Sequence, residues 1–375
     1  MANTQDKDMD LVAVDIGYGF VKAISQNTKK TVKFAAGVGH AVEDKTGDLF
    51  GKSTINQDAS KNIHIEINST EWFVGELAKR KSPEFLAPLD SQRHQDEITI
   101  HLLNVAIQLV SDSDNIYLVT GLPFEQYSSQ KNQLKDAVLG NQPSVKWLSG
   151  ENKNMRRQIN IEQVIILPQA MSALFTVLFD DDGKSKRPDL MVEGTTIGLI
   201  DVGHKTTDYV YLAMEEGGQP VPIDDKSSTV EAGGVDVEHA ITEKFTYETK
   251  ETEISQRNLK KAYNSGKIRY SFANNETKNI DFTEEIKNTK KFVADKIFDR
   301  INNNWGSERN TLDEIYFVGG GSILYNAELQ EKFGNRLKEI DNSQFANVKG
   351  YLWYGANVLA SEQPQTKKAQ DTQEY

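Results

Sequence analysis

The sequence predicts a two-domain α/β protein, and three observations carry that prediction. Apolar strand-like runs alternate with segments of helical periodicity along most of the chain. A short apolar strand that ends in Asp and enters a glycine turn occurs twice, as Leu-Val-Ala-Val-Asp-Ile-Gly-Tyr-Gly over 11–19 and as Ile-Gly-Leu-Ile-Asp-Val-Gly-His over 197–204. The 375 residues suffice for two substantial cores, and the repeated pattern reads as two domains of one ancestral plan.

Taken in order, residues 1–10 are polar and expected to be loose. Residues 11–15 read as a buried strand, 17–19 as its turn, 20–24 as the returning strand and 31–36 as a third. Strand, turn, strand is unlike the strand-to-helix entry of a dinucleotide-binding fold. Residues 71–78 read as a strand entering a helix, 98–110 as a helix, and 115–120 as a strand stopped by Gly-Leu-Pro at 121–123. The strand at 164–167 ends at Pro168, after which Met171, Leu174, Phe175 and Leu178 fall on one helical face. The charged run 180–188 reads as a solvated loop. Further on, 197–200 and 209–212 form a strand pair, and Ile286, Val293, Ile297 and Ile301 mark a long amphipathic helix. The strand at 315–318 feeds Gly319-Gly-Gly-Ser322. Residues 362–375 offer almost nothing to bury and are expected to be a disordered tail. The expected domains are 1–167 with 345–375, and 168–344.

Composition narrows the function classes. The chain is 38% hydrophobic and 26% charged, as in a globular protein. A net charge of −12 argues against general nucleic-acid coating, which requires basic patches. The absence of cysteine excludes disulfides, thiolate zinc sites and cysteine nucleophiles, and suits a reducing cytoplasm. No leader is expected at the N-terminus, and no run of ~20 apolar residues is present to span a membrane.

The two turns carry the candidate chemistry. Glycines allow successive N–H groups to converge on one anion. A carboxylate beside such a nest repels phosphate unless a hydrated Mg²⁺ lies between, and Mg²⁺ takes few carboxylates. Lys22 is placed to neutralise a terminal phosphate, and Thr206 and Thr207 offer hydroxyls at the second turn. Each turn by itself reads equally as an ordinary hairpin, since Asp and Gly are turn formers. His204 lacks any clustered partner among the six histidines. The glycine run at 319–321 permits close approach of a flat or anionic ligand, although such a run also occurs in linkers. Gln169 follows Pro168 at a strand end, where a glutamine can orient an attacking water or simply start a helix. No Walker sequence and no serine-hydrolase motif is present.

Taken together, five ordered motifs resemble those of the actin-like ATPase superfamily: 15–22 and 201–208 as the two phosphate motifs, 167–173 and 349–357 as the two connecting helices, and 318–324 as the adenosine motif. Asp-Ile-Gly-Tyr-Gly at 15–19, Thr-Gly-Leu-Pro at 120–123, Trp-Phe-Val-Gly-Glu-Leu-Ala at 72–78 and Lys-Thr-Thr-Asp at 205–208 are similar to the plasmid-segregation actins of the ParM/StbA and Alp type. The resemblance implies duplicated ribonuclease-H-like domains, as two lobes around a nucleotide cleft. It implies binding of ATP, with GTP as an alternative, and Mg²⁺, and ATP hydrolysis that destabilises a homopolymeric cytoplasmic filament in a bacterial cell. It further implies a ParR-type adaptor on centromere-like DNA, with no general nucleic-acid binding and no membrane partner.

Residue roles follow the same resemblance. Asp15 and Asp201 would hold Mg²⁺ through water, and Gln169 would position the attacking water. Gly17, Tyr18, Gly19 and Lys22 would serve the phosphates from one side, and Gly203, His204, Thr206 and Thr207 from the other. Gly319, Gly320, Gly321 and Ser322 would underlie adenine and ribose, Gly233, Gly234 and Asp236 would border the nucleotide, and Lys261 would touch the base. Gln169 departs from the glutamate of many ParM relatives, and His204 from a common glycine. The competing classes are an FtsA- or PilM-like membrane-associated scaffold, a sugar or acetate kinase, and a chaperone. The polar 362–375 segment lacks the apolar face of an anchor, and no peptide-binding domain is expected after the last motif.

Overall fold

The computed structural model describes residues 9–42, 58–88, 92, 95–180, 182–272 and 276–370, with the side chains of 362–370 left aside. Residues 1–8 and 371–375, parts of the expected loose start and tail, lie outside the described residues. The chain divides into two compact units, Met1–Pro188 with Phe345–Tyr375, and Asp189–Gln344.

The first unit is built from β1 (Met9–Ile16), β2 (Phe20–Ser25), β3 (Thr31–Ala35), β4 (Val38–His40), β5 (Ile63–Ile67), β6 (Thr70–Val74), α1 (Glu76–Lys81), α2 (Glu97–Val110), β7 (Asn115–Leu122), α3 (Phe124–Gly140), β8 (Val145–Trp147), β9 (Arg156–Arg157), β10 (Asn160–Pro168) and α4 (Leu174–Leu178). Among the described residues its main sheet has the order β10-β7-β1-β2-β3, with β7 parallel to both β1 and β10 and the other pairs antiparallel. A second sheet, β4-β6-β5-β8-β9, is antiparallel throughout.

Strand parity explains why β1 is a continuous apolar run. Val12, Val14 and Ile16 join the core shared with α2 and the second sheet. Leu11 and Ala13 face the opposite side, where they pack with Val348 and Tyr351 of the C-terminal helix. Both faces are covered, so no polar alternation appears. α2 is buried around nearly its whole circumference, the polar Thr99, His101, Asn104 and Gln108 included. Asp96 caps it by accepting the Ile98 N–H at 3.0 Å.

The second unit contains β11 (Thr196–Val202), β12 (Thr207–Glu215), β13 (Gln219–Pro222), β14 (Ser228–Val230), α5 (Val235–Thr249), α6 (Gln256–Ser265), β15 (Lys267–Ser271), β16 (Thr277–Asp281), α7 (Thr283–Trp305), β17 (Glu314–Val318), α8 (Gly320–Phe333) and β18 (Leu337–Glu339). Its sheet has the order β13-β12-β11-β17-β18, with β14 on β12. Val293, Ile297, Ile301 and Trp305 of α7 enter one core with Ile200, Val202 and Tyr209. The C-terminal helix α9 (Ala346–Gln370) returns to the first unit. In both units an antiparallel hairpin, β1-β2 or β11-β12, has a parallel strand, β7 or β17, on the free edge of its first strand. The repeated sequence pattern is thus a repeated topology. Among the described residues no helix is long and apolar enough to cross a membrane.

Three details differ from the sequence expectation. The contact boundary falls at Pro188 rather than Leu167, because 168–188 is held on α9: Phe175 and Phe179 stack on Trp353 at 4.8 and 4.1 Å between ring centroids. The helix expected from Met171 is a 3-10 turn, Met171–Ala173, followed by the short α4. The expected tail is helical as far as Gln370.

Two contacts lock the first unit. The buried Asp10 carboxylate accepts the Ser25 hydroxyl at 2.7 Å, the Ser111 hydroxyl at 2.5 Å and the Asn27 N–H at 3.1 Å, tying β1 to the β2 exit and the α2 exit. Asp10→Ala removes the acceptor of all three donors, and a loss of roughly 2–4 kcal/mol is expected in urea denaturation. Gly350 lets α9 lie against the backbone at Ser172, where a Cβ would overlap the Ser172 carbonyl. Gly350→Ala is expected to cost about 1–3 kcal/mol by overpacking, seen as a lowered Tm.

Candidate functional site

The two Asp-Gly hairpins are superposable in their hydrogen-bond pattern. In the first, Asp15 pairs with Lys22 in register and the Gly17 N–H donates to the Phe20 carbonyl at 3.0 Å. In the second, Asp201 pairs with Asp208 and the Gly203 N–H donates to the Thr206 carbonyl at 2.8 Å. Each aspartate therefore stands one pair before the last of its hairpin, Ile16 with Val21 or Val202 with Thr207, and each is buried.

In the first unit the structure brings Asp15, Lys22 and Gln169 together. Lys22 Nζ lies 3.1 Å from Asp15 Oδ2, and Gln169 Nε2 donates to Asp15 Oδ1 at 3.1 Å. A buried carboxylate requires such partners, since an unpaired charge away from water is costly. Gln169 stands just past β10, with β7 between that strand and β1, and its own N–H is fixed on the Leu122 carbonyl at 2.8 Å. The Gly19 carbonyl accepts the Ala36 N–H at 3.0 Å, which ties the turn to β3. The Tyr18 hydroxyl lies 3.5 Å from Gln126 Nε2 at the start of α3.

Lys33 was not singled out from the sequence, yet it pairs with Lys22 across β2 and β3. Asp15, Lys22 and Lys33 thus form a charged row over three strands. Burial first, and the Lys22 charge second, hold the Lys33 ammonium below the ordinary lysine pKa, with Glu76 acting the other way. Its Nζ lies 4.2 Å from the centroid of the Phe20 ring. Period-two alternation in β2 and β3 is the signal that could have found it.

In the second unit three segments converge on the turn after Asp201. The Gly203 and His204 carbonyls accept the Gly234 and Val235 N–H groups at 3.2 and 2.6 Å. Asp236 Oδ2 accepts the Gly233 N–H at 2.8 Å, so this carboxylate closes the first turn of α5. The Tyr325 hydroxyl of α8 donates to the Gly233 carbonyl at 2.6 Å. Gly319 follows β17, which is parallel to β11 with Val318 opposite Asp201. At Gly319 φ is +89°, and a Cβ there would overlap Asp201 Oδ1 and the Val202 carbonyl. Only glycine meets both demands. Gly320 and Gly321 then open α8, with Gly321 against Val202.

Other expected residues lie differently. Thr207 is fully buried and its hydroxyl donates to the Ala232 carbonyl at 2.7 Å, because its cross-strand partner Val202 points into the core. Thr206, in the turn itself, is half-buried. The buried Ser322 hydroxyl contacts the Gly319 carbonyl and the Ser343 hydroxyl, both at 2.8 Å. Lys261 is exposed on α6, and its carbonyl accepts the Ser265 hydroxyl. The segment 341–344 escaped the sequence reading, yet the Ser343 carbonyl accepts the Gly319 N–H at 3.3 Å. No motif marks it.

Among the described residues no cluster of three or more metal-ligating side chains occurs. A cation at either aspartate would therefore draw most of its ligands from water or phosphate. The hard carboxylate oxygens of Asp15 and Asp201 fit a hydrated Mg²⁺ on those terms.

Residues 13–171 match the family model of the N-terminal domain of actin-like proteins. Residues 199–331 match that of the MreB-like archaeal actin homologue, C-terminal domain. No curated protein matches the sequence. Among solved structures, a ParM from Clostridium botulinum, in a 15-stranded filament, is 29% identical with a TM-score of 0.80, over 93% of this chain and 99% of that one. A non-polymerisable quadruple mutant of pCBH ParM is 28% identical with a TM-score of 0.78 over the same shares, 93% and 99%. An archaeal actin homologue in complex with ADP shares the fold, at 20% identity and a TM-score of 0.70 over 93% of this chain and 100% of that one. Built of an actin-like N-terminal domain and an MreB-like C-terminal domain, the chain belongs to the actin-like superfamily and resembles the ParM proteins within it.

Proposed function

We propose that this chain is a nucleotide-driven filament protein of the ParM type. It binds ATP with Mg²⁺, assembles with copies of itself in the cytoplasm, and loses its assembled state on hydrolysis. Its cargo on this reading is plasmid DNA, gripped through a DNA-bound adaptor. The observation that carries the reading is the pair of matched hairpins, each with a buried aspartate one pair before a glycine turn. Likeness to a ParM taken from a filament supports the self-assembly.

The roles follow from the geometry of each hairpin. Asp15, between Lys22 and Gln169, has its carboxylate fixed in direction. Lys22 supplies positive charge beside the 17–19 turn, and the Gly203–Thr206 turn, backed by 233–235, presents the corresponding surface in the second unit. Bound Mg²⁺ would neutralise phosphate charge at the aspartates. Gln169 orients the attacking water with its side-chain amide, which neither gains nor loses a proton. Gly320, with open space where a Cβ would stand, leaves the start of α8 bare for a nucleoside, while Gly319 and Gly321 let it lie against Asp201 and Val202. Thr207, Asp236 and Ser322 act as struts beneath these surfaces, since their side chains already bond to the protein backbone.

Light scattering and pelleting after addition of ATP and Mg²⁺ test the reading. The wild type is expected to sediment in a nucleotide-dependent manner, and absence of assembly at any practical concentration would sink the filament proposal. Asp201→Ala is expected to weaken Mg²⁺-dependent nucleotide binding roughly 10–100-fold, by titration of a fluorescent ATP analogue, and to remove the pelleting. Gln169→Ala is expected to bind ATP normally and release phosphate roughly 100-fold more slowly. Wild-type hydrolysis in that variant removes Gln169 from the mechanism.

A further inference from the structure

The backbone immediately after Gln169 is strained. Ala170 has φ +59° and ψ −63°, and the Met171 N–H donates to the Gln169 carbonyl at 2.6 Å across it. This is the γ-turn of positive φ, a rare and strained conformation for a residue with a Cβ. Ala170 is completely buried.

The surroundings over-determine this turn, which strain of this kind requires. Upstream, the Gln169 N–H is anchored on the Leu122 carbonyl at 2.8 Å. Downstream, the Ser172 hydroxyl returns to the Pro168 carbonyl at 3.0 Å and the Ala173 N–H to the Ala170 carbonyl at 3.0 Å. α9 presses on the same segment through Gly350. A turn closed in three residues fixes the direction of the side chain at its first position, and that side chain is the one bonded to Asp15 across the intervening β7.

We propose that Ala170 is a positioning residue: its constrained γ-turn holds the Gln169 amide on Asp15 in the orientation that hydrolysis needs. The inference rests on the role given to Gln169 above. A glycine at 170 accepts positive φ without strain but also admits many other conformations. It would relax the backbone and free the Gln169 side chain together. A residue that only packs would show the reverse, losing stability and leaving turnover per bound nucleotide unchanged.

The test uses Ala170→Gly in the full chain, beside Gln169→Ala and wild type, with ATP and Mg²⁺ as ligand. Expected for Ala170→Gly are an equal or higher Tm, ATP affinity within about twofold of wild type, and a kcat lowered roughly tenfold or more, as a small misplacement of a positioning group produces. Wild-type kcat in Ala170→Gly, beside a slowed Gln169→Ala, overturns this proposal alone. A parallel fall in affinity and kcat also overturns it, since that marks a general distortion of the site, and so does a lowered Tm, which marks Ala170 as a packing residue. If Gln169→Ala binds ATP and hydrolyses it at the wild-type rate, the role of Gln169 falls and this proposal with it.

Discussion

Burying the Asp15 carboxylate constrains everything around it. A charge in that position needs partners on both oxygens, and the two it has come from different parts of the fold. Lys22 lies opposite on the next strand, so it arrives with the hairpin. Gln169 lies at the end of a strand two positions away in the sheet, so it arrives only when β10, β7 and β1 are in register. The same carboxylate that serves the proposed site is therefore satisfied only in the fully formed sheet. Asp10, at the opposite end of β1, repeats the device with Ser25 and Ser111 and fastens the other end of the strand.

The second unit reaches a similar end by close backbone approach. Gly319 lies against Asp201, Gly321 against Val202, and Gly233 against the carbonyls of Gly203 and His204. Few side chains intervene, so the turn is shaped mainly by main-chain hydrogen bonds from 234–235 and by the strand pairing of β11 with β17. Such a surface is stiff, because moving one segment requires displacing backbone from backbone. It also leaves little room for substitution: a methyl group at 319 or 321 would collide with the next segment rather than with solvent.

Local pattern made the hairpins legible, and parity made their details so. Asp15, Gly17, Asp201 and Gly203 stand out as a repeated string, and their shared hydrogen-bond geometry is what two copies of one string should form. Thr207 shows where type without parity misleads. A hydroxyl at a phosphate turn invites a binding role, yet one residue of alternation sends it into the core opposite Val202. Of the second sheet only β6 was read, within 71–78, and β5 was missed although Ile63, Ile65 and Ile67 alternate cleanly. α3 was missed for a better reason: only Leu134 and Val138 are buried, so it has almost no apolar stripe to read. The γ-turn at Ala170 carried no signal, because alanine has no turn preference and the constraint comes from α9, far along the chain.

The two hairpins are alike in backbone and opposite in charge, which separates their chemistry. The residue paired with the turn aspartate is Lys22 in the first unit and Asp208 in the second. The first hairpin thus carries its own counter-cation, and an anion approaching the 17–19 turn meets an ion pair rather than a bare carboxylate. The second presents two carboxylates in one register pair, an arrangement that like-charge repulsion disfavours. The Asp208 carboxylate accepts the Thr229 hydroxyl at 2.5 Å. On the proposed function, Lys22 would attract phosphate directly at the first hairpin, where the second places a carboxylate in the corresponding position. The two frames are alike in backbone, and the roles proposed for them would differ through this single register position.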